Sequence, residues 1–374
     1  MNRVYFDNVS TSFPKPKIVT DRVMEYITEN GRNIGRGGYE SSYAALEEIT
    51  AVREKVARLF GAEAGNVVFT SGATESMNLV LRGLLSPEDE VIISGLEHNS
   101  VVRPLVDIVS EKNIHIIPSD ENGVMDVKQA EALLTSKVKA LICIHASNVC
   151  GVINPIKELG EFCKKKGLYF IVDGAQSAGL LDVDVSSFGI DAYTFAGHKT
   201  LYGIQGVGGV VLSDRFSKLL KPFKYGGTGS VSDLYTMPDF MPDKFEAGTL
   251  NIPGIISIGA GIDYINECRP DKILMREREL ASLFVRGIKK KKGYRIIGGE
   301  DYSNKVSVVS IIKEGEDSSV IADILDNNGI EVRVGLHCAP LAHRTLHSFP
   351  HGTVRFSFSH LNTSSEITKA LSLL

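Results

Sequence analysis

The sequence predicts an α/β protein: a mostly parallel, seven-stranded sheet covered by helices on both faces, followed by a smaller α+β unit. Three observations predict it. Short β-rich runs alternate with helical segments between residues 67 and 212, as crossover-connected parallel strands do. Beyond residue 305 the order changes to strand, helix, strand, strand. The residues best suited to chemistry fall just after the runs of the first region, where an open parallel sheet places its ligands.

In chain order, residues 1–15 start strand-like and pass into Asp7-Asn-Val-Ser-Thr-Ser-Phe-Pro14, an expected arm packing with the smaller domain. Residues 17–30 have helical spacing, with Val19, Val23, Met24 and Ile27 on one face. A loop rich in Gly and Arg, residues 31–38, includes Arg36; a long helix over 41–60 ends at Gly61. The β-rich runs are Val67–Thr70, Val91–Ser94, His115–Pro118, Ala140–His145, Tyr169–Asp173, Ala192–Phe195 and Gly209–Leu212. Helices are expected around 76–85, 100–112, 127–135 and 156–166. Residues 213–250 are loop-rich, and helical patterning returns over 255–292. Strands at 305–312, 330–334 and 353–358, with a helix near 317–328, complete the smaller unit. The expected domains are therefore 16–254 and 255–374, the second carrying a Cys-bearing loop.

Composition narrows the function. A formal net charge of -4 shows no nucleic-acid footprint. The basic run Lys289–Lys292 reads as a solvated helix end. The N-terminus has no stretch of signal-peptide type and no run reaches membrane-spanning length, so a cytoplasmic protein without membrane or nucleic-acid partners is expected. Five Cys without a Cys-x-x-Cys pair argue against a disulfide framework or a metal site. Cys143, in an apolar run, is expected in the core.

Chemistry concentrates at a few positions. Ala192-Tyr-Thr-Phe-Ala-Gly-His-Lys199 starts as an apolar strand and ends abruptly on Lys199. A desolvated Lys loses part of its preference for the charged form and becomes a usable amine nucleophile; a surface Lys that merely follows a strand is the plainer alternative. Asp173 ends another apolar strand. It either caps Gly174-Ala175 or pairs a protonated ring nitrogen, as the acidic partner does where pyridoxal phosphate sits on a Lys. Ser71-Gly-Ala73-Thr74-Glu-Ser76 follows a strand and opens a helix, which offers either an anion site or simple capping. His98 is suited to stacking on an aromatic ring or to an ordinary loop role, and Gln176 to donating to a ring hydroxyl. Arg355, in an alternating strand, has the fork for a substrate carboxylate, or lies solvated on a sheet face. Cys338, between Gly335 and Pro340, is expected to be accessible, with His337 and Arg333 near enough in sequence to favour its thiolate; a small apolar residue at a strand end is the alternative.

Together these segments resemble the class V aminotransferase-like enzymes that use pyridoxal phosphate, and most closely the cysteine desulfurases. The likeness runs from Asp7-Asn8 to Arg355. It rests on Thr74-Glu75, Glu97-His98, His145-Ala-Ser-Asn148, Asp173-Gly-Ala-Gln176, Gly197-His-Lys199, Phe245-Glu-Ala-Gly-Thr249 and Arg333-Val-Gly-Leu-His-Cys338, in that order. The short stretch around Cys338 looks like the group II branch, which includes SUF-type desulfurases and selenocysteine lyases.

The resemblance implies a fold-type I transferase, a homodimer, and pyridoxal 5′-phosphate as cofactor. Lys199 would be the Schiff-base lysine and Asp173 the partner of the ring nitrogen. His98 would stack on the ring, with Gln176 at its phenolic oxygen. Ala73, Thr74 and His198 would hold the phosphate, with Thr249 given by the neighbouring subunit. Asn148 and Arg355, with Arg36 and Arg333, would bind the substrate, and Cys338 would be the nucleophile. The implied reaction turns L-cysteine into L-alanine and passes sulfur, as a persulfide on Cys338, to an acceptor protein, in iron–sulfur cluster assembly or a related use of sulfur. A selenocysteine lyase, a plain aminotransferase and a non-catalytic scaffold of this fold in sulfur trafficking are the alternatives. Two positions depart from the pattern: Ala196 stands where a Ser phosphate ligand is usual, and Leu336 where group II enzymes often have His.

Overall fold

A computed structural model describes residues 3–34 and 39–374; Arg36 lies outside the described residues. The chain enters through β1 (Val4–Tyr5), α1 (Lys17–Glu25) and α2 (Glu40–Leu59). It then lays down β2 (Val67–Thr70), α3 (Ala73–Leu84), β3 (Glu90–Ser94), α4 (Asn99–Ile108), β4 (Ile114–Ile117), β5 (Val138–Ile144), α5 (Ile156–Lys166), β6 (Tyr169–Asp173), β7 (Ala192–Ala196), β8 (Gly208–Leu212) and α6 (Asp214–Leu219). The strands form one seven-stranded sheet in the order β2-β8-β7-β6-β5-β3-β4. All run parallel except β8, which is antiparallel to both neighbours. Residues 197–207 are too few for the crossover that a parallel pair needs, so β8 folds back beside β7. The helix expected at 127–135 is a 3-10 segment over Val127–Leu133.

Every residue of β7 and β8 is buried. Helices cover both faces of the sheet, which explains why these strands read as unbroken apolar runs. On α1, Val19 and Val23 face inward, whereas Met24 and Ile27 are 57% and 56% exposed. The inward stripe continues instead to Tyr26, where the helix changes to a wider π turn.

α7 (Ile252–Cys268) and α8 (Pro270–Ile288) lead into β9 (Tyr294–Ile297), β10 (Val308–Lys313), α9 (Ser318–Asn327), β11 (Ile330–Glu331), β12 (Arg333–Gly335), α10 (Pro340–Thr345), β13 (Thr353–Ser357) and α11 (Ser364–Leu373). Four of these strands make an antiparallel sheet in the order β12-β13-β10-β9. β1 pairs in parallel with β11, and Asp7 bridges to Ser357, so the first residues of the chain are stitched to this second sheet. α7 runs unbroken across position 254/255. Its Ile255, Ile256, Ile258, Ile262 and Ile265 pack into the core beneath the large sheet, and the chain turns sharply at Arg269, with φ 68°. We therefore propose Arg269, rather than 254/255, as the domain junction.

α7 also seats the loop that carries Lys199. The hydroxyl of Ser257 accepts a hydrogen bond from the Ile204 N–H at 2.9 Å. A Cβ on Gly261 would stand 1.9 Å from the backbone oxygen of Leu201, whereas one on Gly259 would meet only the side chain of Val52, at 2.6 Å. Gly261→Ala is expected to destabilise by about 1–3 kcal/mol through overpacking, and Gly259→Ala by less, because a side chain yields more readily than a backbone. Thermal melts of the two variants check the order.

Candidate active site

The C-terminal ends of β3, β5, β6 and β7 and the N-termini of α3 and α4 frame a cavity of about 40 Å³, lined by Ala73, Thr74, His98, Ser100, Asn148, Asp173, Gln176 and Lys199 among others. At its floor, Asp173 is 2% exposed. Its carboxylate accepts from the Ala175 N–H at 3.0 Å and from the Ser100 hydroxyl at 3.2 Å. Asp173 thus caps the following turn, the first of its two sequence alternatives, and also lines the cavity.

His98 is the N-cap of α4. Its Nδ1 accepts from the Ser100 N–H at 3.0 Å, which fixes the ring. Burial, then the charge of Lys199, push its imidazolium down to about 4, so the ring is neutral at physiological pH. Lys199 closes the opposite wall. Burial lowers its ammonium to about 8, with Arg355 and Arg333 pushing the same way and Asp173 opposing. It is no ordinary surface Lys.

Thr74 and Ala73 open α3. The helix follows Gly72, which places no side chain on the first N–H groups, so the positive end of the helix faces the cavity. Buried polar atoms without a protein partner, Asn148 Oδ1 and His198 Nδ1, belong to the residues expected to hold a ligand. Gln176 donates to the Val9 carbonyl at 3.2 Å.

A second group stands on β12, β13 and the turn between β12 and α10. Arg355 is 1% exposed rather than solvated. It donates from Nη1 to the Asn148 carbonyl at 3.0 Å and from Nη2 to Asp7 at 2.6 Å and the Ser10 hydroxyl at 2.9 Å. Its Nε is buried without a partner. Arg333 lies directly across the strand pair from Arg355. It donates to Ser10 at 2.8 Å and reaches the Sγ of Cys338 at 3.5 Å, so it stands by the thiol.

Cys338 is exposed, unlike Cys143, Cys150 and Cys163, which are buried. His337 and Cys338 have φ of 50° and 57°, two successive non-Gly residues in the left-handed region. The turn is held by Asn148, which donates to the His337 carbonyl at 2.9 Å, and by the Asn99 N–H, which donates to the Cys338 carbonyl at 2.8 Å. His337 itself points away, buried against Thr353 at 2.8 Å. Its imidazolium is pushed well below the usual His range by burial first.

Thr249 is not brought into this cavity. It lines a separate groove with Leu46, Arg53 and Gly227. Sequence reasoning missed Ser100, which ties His98 to Asp173, and also Asp7, which holds Arg355, and Ser10, which holds both arginines. Asp7 was visible as the start of the resemblance, but nothing in the sequence placed it against Arg355. Among the described residues, no group of His, Cys, Asp or Glu is arranged to hold a metal ion, and no helix is long and apolar enough to cross a membrane.

The family model for class-V aminotransferases matches residues 4–370. A probable cysteine desulfurase of Methanothermobacter thermautotrophicus is 35% identical, over 98% of this chain and 92% of its own. One from Pyrococcus abyssi is 33% identical, over 99% and 93%. Among solved structures, a cysteine desulfurase from Thermococcus onnurineus superposes with a TM-score of 0.91 at 32% identity, covering 99% of this chain and 93% of that one.

Proposed function

The chain belongs to the class-V aminotransferase family, and from that premise we propose that it is a cysteine desulfurase dependent on pyridoxal phosphate. The observation that carries the reading is one site holding both an amine lowered to about 8, Lys199, and an exposed thiol beside a guanidinium, Cys338.

The residues present fit the cofactor. Asp173, fixed by Ser100 and Ala175, is placed to keep a ring nitrogen protonated. The neutral ring of His98 offers a flat cover. The unpartnered Nδ1 of His198 and the open N-terminus of α3 suit a phosphate, which compensates for Ala196. Lys199 would hold the aldehyde carbon. When bound, the cofactor supplies an electron-poor ring that takes up the charge left when a proton leaves the α-carbon of an amino acid.

The chain's own residues do the rest. Asn148 and Arg355 hold the substrate carboxylate, the buried Nε of Arg355 being the free half of its fork. Lys199, as free amine, removes the α-proton and later returns a proton, and its fixed position makes the transfer efficient. Arg333 stands 3.5 Å from the Cys338 sulfur, where a thiolate would meet its positive charge. That thiolate attacks the substrate sulfur: an S–S bond forms, the Cβ–S bond breaks, and a proton delivered to Cβ completes alanine. The persulfide on exposed Cys338 is open to an acceptor. The test is alanine and sulfide release from L-cysteine in the presence of a thiol reductant. Equal release from selenocysteine alone, with none from cysteine, would point to a lyase instead.

The active unit is a two-fold dimer. Met24, Ile27, Tyr39, Tyr43 and Leu46 expose 42–58% of their surface along α1 and the start of α2, and Leu46 shares its groove with Thr249. A second copy covering this face would carry Thr249 toward its partner's phosphate. Leu46→Asp is expected to shift the protein to monomer in light scattering and to weaken cofactor retention. A fully active monomer would reject the dimer.

A further inference from the structure

Behind Lys199 lies a second, small cavity, of about 40 Å³, between the N-terminal segment, the large sheet and the second domain. Lys199 and Gln176 line both cavities and so form the partition between them. Tyr202 and Glu277 line the far wall. Glu277, on α8, accepts from the Ser307 hydroxyl and the His360 N–H, each at 3.3 Å. Burial raises its carboxyl to about 8, so it is protonated at neutral pH.

Tyr202 follows Lys199 by one turn, its N–H donating to the Lys199 carbonyl at 3.0 Å. It is 6% exposed and has φ of 57°, a strained conformation for a non-Gly residue. Its hydroxyl meets His360 Nδ1 at 3.2 Å, and Nε2 of the same ring meets the Tyr264 hydroxyl at 2.7 Å. His360 and Tyr264 are half-buried, whereas Tyr202 is enclosed. Burial keeps both phenols protonated and the imidazole neutral. An imidazole bonded through each nitrogen to a phenol therefore leads from the protein surface to the cavity behind the amine.

We propose that Tyr264, His360 and Tyr202 form a proton wire that connects solvent to Lys199 through this second cavity. The Tyr264 hydroxyl gives its proton to His360 Nε2, and solvent water replaces it. The Nδ1 proton of His360 passes to the Tyr202 oxygen. Tyr202 passes its own proton, through water held by the polar groups of the cavity, to Lys199 in its free-amine form; run in reverse, the same steps carry the proton that Lys199 has taken from the substrate out to solvent, so that one outward and one inward passage exchange it. Each relay group ends neutral, and one proton has moved; Glu277 holds a further proton on the same cavity. The wire rests on the reading of Lys199 as the base. It decides whether the proton that Lys199 takes from the substrate is exchanged with solvent before one is returned.

The test is turnover of L-cysteine in heavy water, with the isotope at the α-carbon of alanine read by mass spectrometry. The native enzyme is expected to place solvent deuterium there. In Tyr202→Phe, exchange with solvent is expected to slow by about 10²-fold, the low end of what loss of a positioned proton donor produces, so that more of the original α-proton is retained, with KM unchanged. Should Tyr202→Phe not fold, Tyr264→Phe, at a half-exposed position, carries the same expectation. An isotope pattern identical to the native one in the variant that folds overturns the wire. In the cofactor-free chain labelled with 15N-histidine, the His360 resonances are expected to shift in both variants, and unmoved resonances would also overturn it. Lys199→Ala separates the two readings: continued alanine formation there removes the base itself, whereas an inactive Lys199→Ala with an unaltered isotope pattern in Tyr202→Phe removes only the wire.

Discussion

Lys199→Ala is expected to lower alanine formation from L-cysteine by about 10³-fold, the scale on which a positioned base contributes, with no loss of fold. The expectation on stability has its own reason. Burial pushes the Lys199 ammonium down from 10.5 to about 8, which means the charged side chain is poorly accommodated where it stands. Removing it relieves that cost. Lys199→Arg should fail as fully as Ala, because guanidinium cannot give up its proton near neutral pH. The pH dependence has a definite sign. Below about pH 8 the amine is protonated and unreactive; above it, the free amine dominates. Acylation of Lys199 by a trace amine reagent in the cofactor-free chain should therefore rise with pH and level off above about 8, while ordinary surface lysines continue to gain until their usual 10.5. Arg333→Met should move the Lys199 midpoint upward, since that guanidinium helps to hold it down. A Lys199 that labels like a surface lysine would contradict the desolvated site.

How much of this was readable in the sequence depended on whether the signal was local. The seven β-rich runs each matched a strand to within a residue or two, because strands buried on both faces are apolar throughout and bounded by polar turns. The antiparallel course of β8 was not visible, since periodicity carries no direction. The junction read at 254/255 falls inside α7 for a related reason. α7 is apolar all round, and such a helix belongs to whichever core surrounds it. At the site, Asp173, His98 and Lys199 were legible because each ends or follows a strand of one sheet, and the topology gathers those ends on one edge. The surroundings of Arg355 were not. Its partners Asp7 and Ser10 are more than three hundred residues away in sequence and meet it only because β1 docks beside β11 and Asp7 lies against Ser357 of β13. Thr249 lines a different groove, and nothing local in the sequence separated it from the others.

Cys338→Ala is expected to abolish persulfide on the protein and to lower alanine formation from cysteine by at least about 10²-fold, since residues that act as a unit fail together when one is removed. Cofactor absorbance should be retained, because Cys338 contributes no atom to the lining of the ring cavity. Substrate choice sharpens the test. A variant inactive on cysteine but active on selenocysteine would show that Cys338 is needed to take sulfur and not to break the bond to the heavier atom. The turn itself offers an independent check. Cys338 sits at φ 57°, directly after His337 at φ 50°, and a left-handed L-residue costs about 1–2 kcal/mol. Cys338→Ala keeps that cost, whereas Cys338→Gly removes it. The Gly variant should thus melt above the Ala variant while being equally inactive. That ordering would mean that the chain carries a strained turn at this position for the sake of the thiol, held against its own backbone preference by Asn148 and Asn99. If Gly and Ala melt together, the turn is not strained in solution, and the presentation of Cys338 must come from Arg333 and the second sheet alone.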